Sequence, residues 1–148
     1  MTDTEPTTTT TPAELALAAE ALWRSIHAGD VEAVLASFDP NITWVNDETG
    51  GPWAGTFQGV DAVAGMVLEF QLFFDGTFAQ EVIDIATSGR RIVSLVRESA
   101  TKHDHEFANE SIWIAEIVDG RTNSMHTLSF DPEPARTFWA AVDNDVPV

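Results

Sequence analysis

The order of periodicities along the chain predicts an α+β domain, and three observations carry that prediction. Apolar residues recur at helical spacing up to Gly76. Four runs with alternating apolar and polar residues follow, divided by short turn clusters. The chain has 148 residues, of which 44% are hydrophobic, which suffices for one domain with a full core. Helices first and a long antiparallel sheet afterwards predict helices packed on one sheet face.

Each element has a local reason. Thr2 to Thr10 is threonine-rich and lacks apolar periodicity, so residues 1–10 are expected to be a disordered tail. One domain should run over residues 11–142, with 143–148 as a second tail. Thr11-Pro12-Ala13-Glu14 is a capping box with proline at the first helical position. Leu15, Ala18, Ala19, Leu22, Trp23 and Ile26 then follow helical spacing until Gly29 ends the helix. Asp30 caps a second helix that buries Val31, Val34, Leu35 and Phe38.

Ile42 to Asn46 is β-branched and aromatic and predicts a strand. Gly50-Gly51-Pro52 makes a turn, and Trp53 to Phe57 a short extended piece. Val60 to Phe74 forms the third helix, with Val63, Met66, Val67, Phe70, Phe73 and Phe74 on its apolar face, and Asp75-Gly76 stops it. Strands are expected over 77–86, 91–101, 107–118 and 121–130, with turns at Thr87-Ser88-Gly89, His103-Asp104-His105 and Asp119-Gly120. Short turns between consecutive strands predict an antiparallel meander. Pro132 to Val142 predicts a terminal helix docked by Phe138 and Trp139.

Composition removes whole function classes. Seven basic residues against 24 acidic ones give a net charge of −17, which repels nucleic acid and anionic membrane surfaces. The absence of cysteine excludes disulfides, thiolate nucleophiles and cysteine-ligated metals. No apolar run reaches the roughly 18 residues of a membrane span. The acidic, threonine-rich start lacks a basic segment followed by an apolar one, so a cytoplasmic location is expected. No glycine-rich phosphate loop follows a strand, so no nucleotide cofactor is expected. His103 and His105 fall at a hairpin turn without a clear third ligand, so no metal is expected either.

The polar groups that strands could carry inward define a candidate site. The first strand ends at Asn46, in reach of helices and aromatic residues. On the third meander strand, alternation puts Asn109, Ser111, Trp113, Ala115 and Ile117 on one face and Glu110, Ile112, Ile114 and Glu116 on the other. The first set is expected inward. On the last strand Met125, Thr127 and Ser129 are expected inward and His126 outward, an assignment that depends on bulges. Glu98, in the middle of the second meander strand, would gain a raised pKa if it faces an apolar interior, as a general base near neutrality requires. His126 could take over acid/base work if it turned inward. Asp47 reads as a solvated turn acid.

Several segments resemble the nuclear-transport-factor-2-like superfamily, and specifically its SnoaL-like polyketide cyclase branch. They are Ala28-Gly29-Asp30 with the Phe38-to-Trp44 segment, and Gly55-Thr56-Phe57-Gln58-Gly59 leading into Val60-Asp61-Ala62-Val63. Asp75-Gly76-Thr77-Phe78, Val118-Asp119-Gly120-Arg121 and the ending Phe130-Asp131-Pro132 to Phe138-Trp139 complete the match. The resemblance implies a cone: a curved antiparallel sheet wrapped around the helices, open at one end to an apolar pocket, often in a homodimer. It also implies departures from known chemistries. The position of the ketosteroid isomerase base is Asn46, an amide, and the chain has no tyrosine for that enzyme's oxyanion hole. The limonene-epoxide hydrolase aspartate and arginine positions read Thr127, Ile92 and Ser94. The cyclase acid on the last strand falls near Thr127 or His126.

These readings lead to a cofactor-free small-molecule enzyme of isomerase, cyclase, dehydratase or hydrolase type, acting on a small apolar molecule. Glu98 and His126 are the candidate bases. Trp44, Asn46, Trp53, Phe70, Asn109, Ser111, Trp113 and Thr127 are the candidate ligand contacts. The alternatives are a non-catalytic binding domain and a dimeric interaction module, with Ile112 and Ile114 on the outer sheet face packing against a second copy.

Overall fold

The computed structural model describes residues 11–142, so both expected tails lie outside the described residues. Helix α1 (Pro12–His27) begins as its capping box predicts, with the Thr11 hydroxyl accepting from the Glu14 amide at 3.1 Å. Helix α2 (Val31–Ala36) is capped by the Asp30 carboxylate on the Ala33 amide. Strand β1 (Phe38–Asn46) starts four residues earlier than expected, so Phe38 belongs to the strand and is buried there. Its pairing is irregular between Phe38 and Thr43, on either side of Pro40, which has no N–H for a ladder. A 3-10 helix (Glu48–Trp53) replaces the simple turn, and strand β2 (Gly55–Gln58) follows. Helix α3 (Val60–Phe74) ends on Asp75 in the left-handed conformation at φ 52°.

The meander consists of β3 (Ala79–Ser88), β4 (Arg91–Lys102), β5 (His105–Val118) and β6 (Arg121–Ser129), and helix α4 (Glu133–Ala141) closes the chain. The hairpins turn over two residues each, at 89–90, 103–104 and 119–120. Asp119 and Gly120 both take positive φ (51° and 78°), the type I′ geometry that matches strand twist. The sheet order is β2-β1-β6-β5-β4-β3. All neighbours are antiparallel except β1 and β6, which run parallel and are separated in sequence by the 3-10 helix, β2, α3 and the strands β3 to β5.

Bulges supply the curvature that wraps this sheet around the helices. An extra residue, Ile83, interrupts the β3–β4 register, and Asn123 interrupts β5–β6. The concave face carries Ile92, Ala100, Phe107, Ala115, Ile117 and Met125, which form one buried cluster with Leu15 and Ala19 of α1, Val63, Phe73 and Phe74 of α3, and Phe138 of α4. Residue register across the strands also aligns polar groups in rows. Gln80, Glu98 and Asn109 stand side by side on β3, β4 and β5. Ser111 and Ser129 lie together on β5 and β6, and Trp113, Thr127 and Asn46 form a row across β5, β6 and β1.

Candidate active site

The β3 bulge decides what meets Glu98. Two-residue hairpin pairing from Ser88 and Arg91 without interruption would bring Glu81 opposite Glu98, two like charges across one rung. The extra Ile83 shifts the register by one residue. Glu81 then pairs with Arg97 on the outer face, where their side chains form an ion pair at 2.9 Å, and the neutral Gln80 faces Glu98 inside.

Glu98 is 7% exposed in the wall of a cavity between the concave sheet face and helices α1 to α3. Its Oε1 accepts from Asn109 Nδ2 at 3.0 Å and its Oε2 from Gln80 Nε2 at 3.1 Å. Burial pushes the carboxyl pKa up; hydrogen bonds from Asn109, Gln80, Ser111 and Trp113 pull it down by less than burial raises it. Trp113 Nε1 also donates to Ser111 Oγ at 2.9 Å, so these two side chains orient each other beside the acid. No lysine, arginine or histidine is among the described residues lining the cavity. Glu98 is thus a buried acid held by neutral amides, with no basic side chain in the cavity wall to hold it ionised.

The cavity has a volume of about 160 Å³. For comparison, an engineered protein cavity of about 150 Å³ accepts benzene. Its walls are aromatic: Trp44, Trp53, Phe70 and Trp113 all line it, as expected, together with Phe78, Phe107 and Met66. Trp44 and Trp113 meet edge to face at 5.3 Å, and Trp53 meets Phe70 in the same way at 5.4 Å. Trp53 is buried in the core rather than held in a loose loop, with its Nε1 on Glu69 Oε2 at 3.0 Å.

Asn46 lines the cavity too, but its amide is committed to the protein. Its Oδ1 accepts from Trp44 Nε1 at 2.9 Å and from the Thr127 hydroxyl, and its Nδ2 donates to the Trp53 carbonyl at 2.8 Å. One side chain thereby ties together the ends of β1, β6 and the 3-10 helix. Asp47 corrects the reading of a solvated turn acid. It is half-buried, caps the 3-10 helix on the Thr49 amide, and accepts from the Ser129 amide at 2.8 Å.

His126 is the one candidate residue that the structure keeps away from the site. It is exposed on the outer sheet face, opposite Ile114, and does not line the cavity. The bulge at Asn123 is the reason. Thr122 is buried opposite Ile117, so regular alternation from it would have carried His126 inward; the extra residue reverses the parity and carries Met125 and Thr127 inward instead. Gln80, which sequence reasoning missed, joins the site through the other bulge. Its only signal was a polar residue at a strand start.

A search of functionally curated proteins finds no match to this chain. Solved structures match it over most of their length. Bal32a, from a soil-derived mobile gene cassette, superposes with a TM-score of 0.79 at 19% identity, covering 86% of this chain and 98% of that one. TerC, co-crystallised with polyporic acid, gives 0.73 at 18% identity over 84% and 97%. An epoxide hydrolase of M. tuberculosis, described as LEH-like, gives 0.66 at 15% identity over 91% and 98%. At these identities the likeness is one of fold. The SnoaL-like domain model matches residues 19–125, from the middle of α1 into β6, and the chain belongs to that family.

Proposed function

We propose that the protein is a cofactor-independent enzyme that moves a proton on a small, largely apolar molecule bound in the cavity, with Glu98 as the general acid or base. The observation that carries this reading is Glu98 itself: a buried carboxyl in the cavity wall, each oxygen held by a side-chain amide, with its pKa raised. A carboxyl raised toward the working pH exchanges protons more effectively than an ordinary surface acid. Trp44, Trp53, Phe70 and Trp113 would enclose the ligand's apolar body, while Asn109, Ser111 and Thr127 would orient its polar group. The cavity volume matches a one-ring molecule. Two of the similar structures concern small molecules, TerC with polyporic acid and the epoxide hydrolase, which agrees with this reading.

A second reading, a binding domain without chemistry, is favoured by Asn46. The position where the isomerase carries its base holds an amide, and that amide is used for structural hydrogen bonds.

One experiment separates the two. A panel of one-ring ketones, with and without an amino group, is incubated with the protein in D2O, and NMR follows both binding and exchange of the hydrogens next to the carbonyl. Catalysis predicts exchange by the native protein that Glu98→Gln abolishes while binding persists. Binding without exchange for every ligand that enters the cavity would establish the second reading instead.

A further inference from the structure

One acceptor in the cavity wall lacks a donor. Asn109 Oδ1 is buried and has no hydrogen-bond partner, while the other end of the same amide is committed to Glu98. Asn109 is 8% exposed and lines the cavity, but the oxygen itself has almost no free surface, so a donor in the cavity meets it only once the amide shifts toward the cavity. An orphaned buried carbonyl is destabilising, and a ligand donor would recover that loss.

The charge of that donor is constrained separately. Glu98, Asp47 and Asp30 line the cavity and no basic side chain does, among the described residues, in a chain of net charge −17. An anionic ligand meets repulsion from every charged group around it. A neutral hydroxyl can satisfy Asn109 Oδ1 but leaves Glu98 without a counter-charge. A cation satisfies both, and Trp44, Trp113 and Phe78 line the same cavity with aromatic rings, whose faces attract positive charge.

We infer that the polar group of the ligand is a protonated amine on a one-ring apolar body, its N–H groups directed to Asn109 Oδ1 and the Glu98 carboxylate. This rests on the reading of the cavity as a ligand site and names the class of ligand it takes.

A matched series with one ring tests it: benzylamine, benzyl alcohol, toluene and benzoate, titrated into the full chain by calorimetry and ligand-observed NMR. Benzylamine should bind at least tenfold more tightly than benzyl alcohol or toluene, and benzoate should not bind. Glu98→Gln, close to isosteric, should remove that tenfold preference while toluene affinity stays unchanged. Asn109→Leu should weaken benzylamine severalfold; should this variant fail to fold, the ligand series and Glu98→Gln still decide. Equal affinity for benzylamine and toluene, or for benzylamine and benzyl alcohol, overturns the cation assignment and leaves the proposed function standing. Absence of binding by every member overturns the cavity as a ligand site, and the proposed function with it.

Discussion

Replacing Asn46 by alanine should destabilise the protein without any ligand present. The substitution removes three hydrogen bonds to nitrogen or oxygen partners, from Trp44 Nε1, from the Thr127 hydroxyl and to the Trp53 carbonyl, and a weak one to Met66 Sδ at 3.8 Å. Trp44 Nε1 and Thr127 Oγ1 keep each other at 3.3 Å, so together they lose about one ordinary bond, ~1 kcal/mol. The Trp53 carbonyl loses the Asn46 donor in a part-buried setting, which adds about 1–2 kcal/mol. The total of about 2–3 kcal/mol lowers the thermal midpoint by about 6–12 °C for a domain of this size. Urea unfolding monitored by tryptophan fluorescence measures it directly, since Trp44 and Trp53 report on the affected region. A companion variant, Asn46→Asp, keeps the acceptor for Trp44 and Thr127 but sets a carboxylate oxygen against the Trp53 carbonyl. Its cost should therefore shrink at acidic pH, where a protonated acid can donate to that carbonyl. A loss below about 1 kcal/mol for Asn46→Ala, less than one ordinary hydrogen bond, would refute the structural role and return Asn46 to the ligand contacts.

Three further outcomes are expected. Gly51→Ala should be among the most damaging small substitutions: Gly51 has φ 61°, and an added Cβ would lie 2.5 Å from the Trp139 ring. Backbone strain and overpacking together cost about 2–5 kcal/mol, and an unchanged melting temperature would show that α4 is not seated on the 3-10 helix. Glu98→Gln should become relatively more stable than the native chain as pH rises. Because the folded pKa lies above the unfolded one, the native state holds more protons between the two, and its stability falls as pH climbs through that window. The difference should amount to about 1.4 kcal/mol per unit of raised pKa and flatten above the folded pKa; a pH-independent difference between the two unfolding curves would place Glu98 in contact with solvent. A homodimer is expected to pair the outer sheet faces, where Val93 stands beside Ile114 and Leu95 beside Ile112. Sedimentation should give twice the chain mass for the native protein and the single-chain mass for Ile112→Glu, whereas a native monomer removes the assignment.

Much of the fold was legible because its signals are local. The capping box at Thr11, the Asp75-Gly76 stop and the Asp119-Gly120 turn each act through the backbone conformation of a few residues, so helix α3 and the last hairpin fall where their residues predict. Strand β3 instead runs through Thr87 and Ser88 and turns at 89–90, and His105 already belongs to β5. The start of β1 was less legible: Phe38 has the spacing of a helix face, but its burial comes from distant partners in the sheet and core. The identity of the family was also readable, since it rests on the order and spacing of such local segments.

Sequence alone determined the polar inventory of the site: a carboxyl at Glu98, amides at Asn46 and Asn109, and tryptophans in place of tyrosines. Tertiary structure decided which of these meet. One extra residue at Ile83 substitutes Gln80 for Glu81 as the neighbour of Glu98, and one at Asn123 turns His126 out to solvent. The physical reason is the two-residue period of a strand. A single inserted residue exchanges its faces, and whether it is inserted depends on how the curved sheet packs on the helices, which local residue preferences do not record.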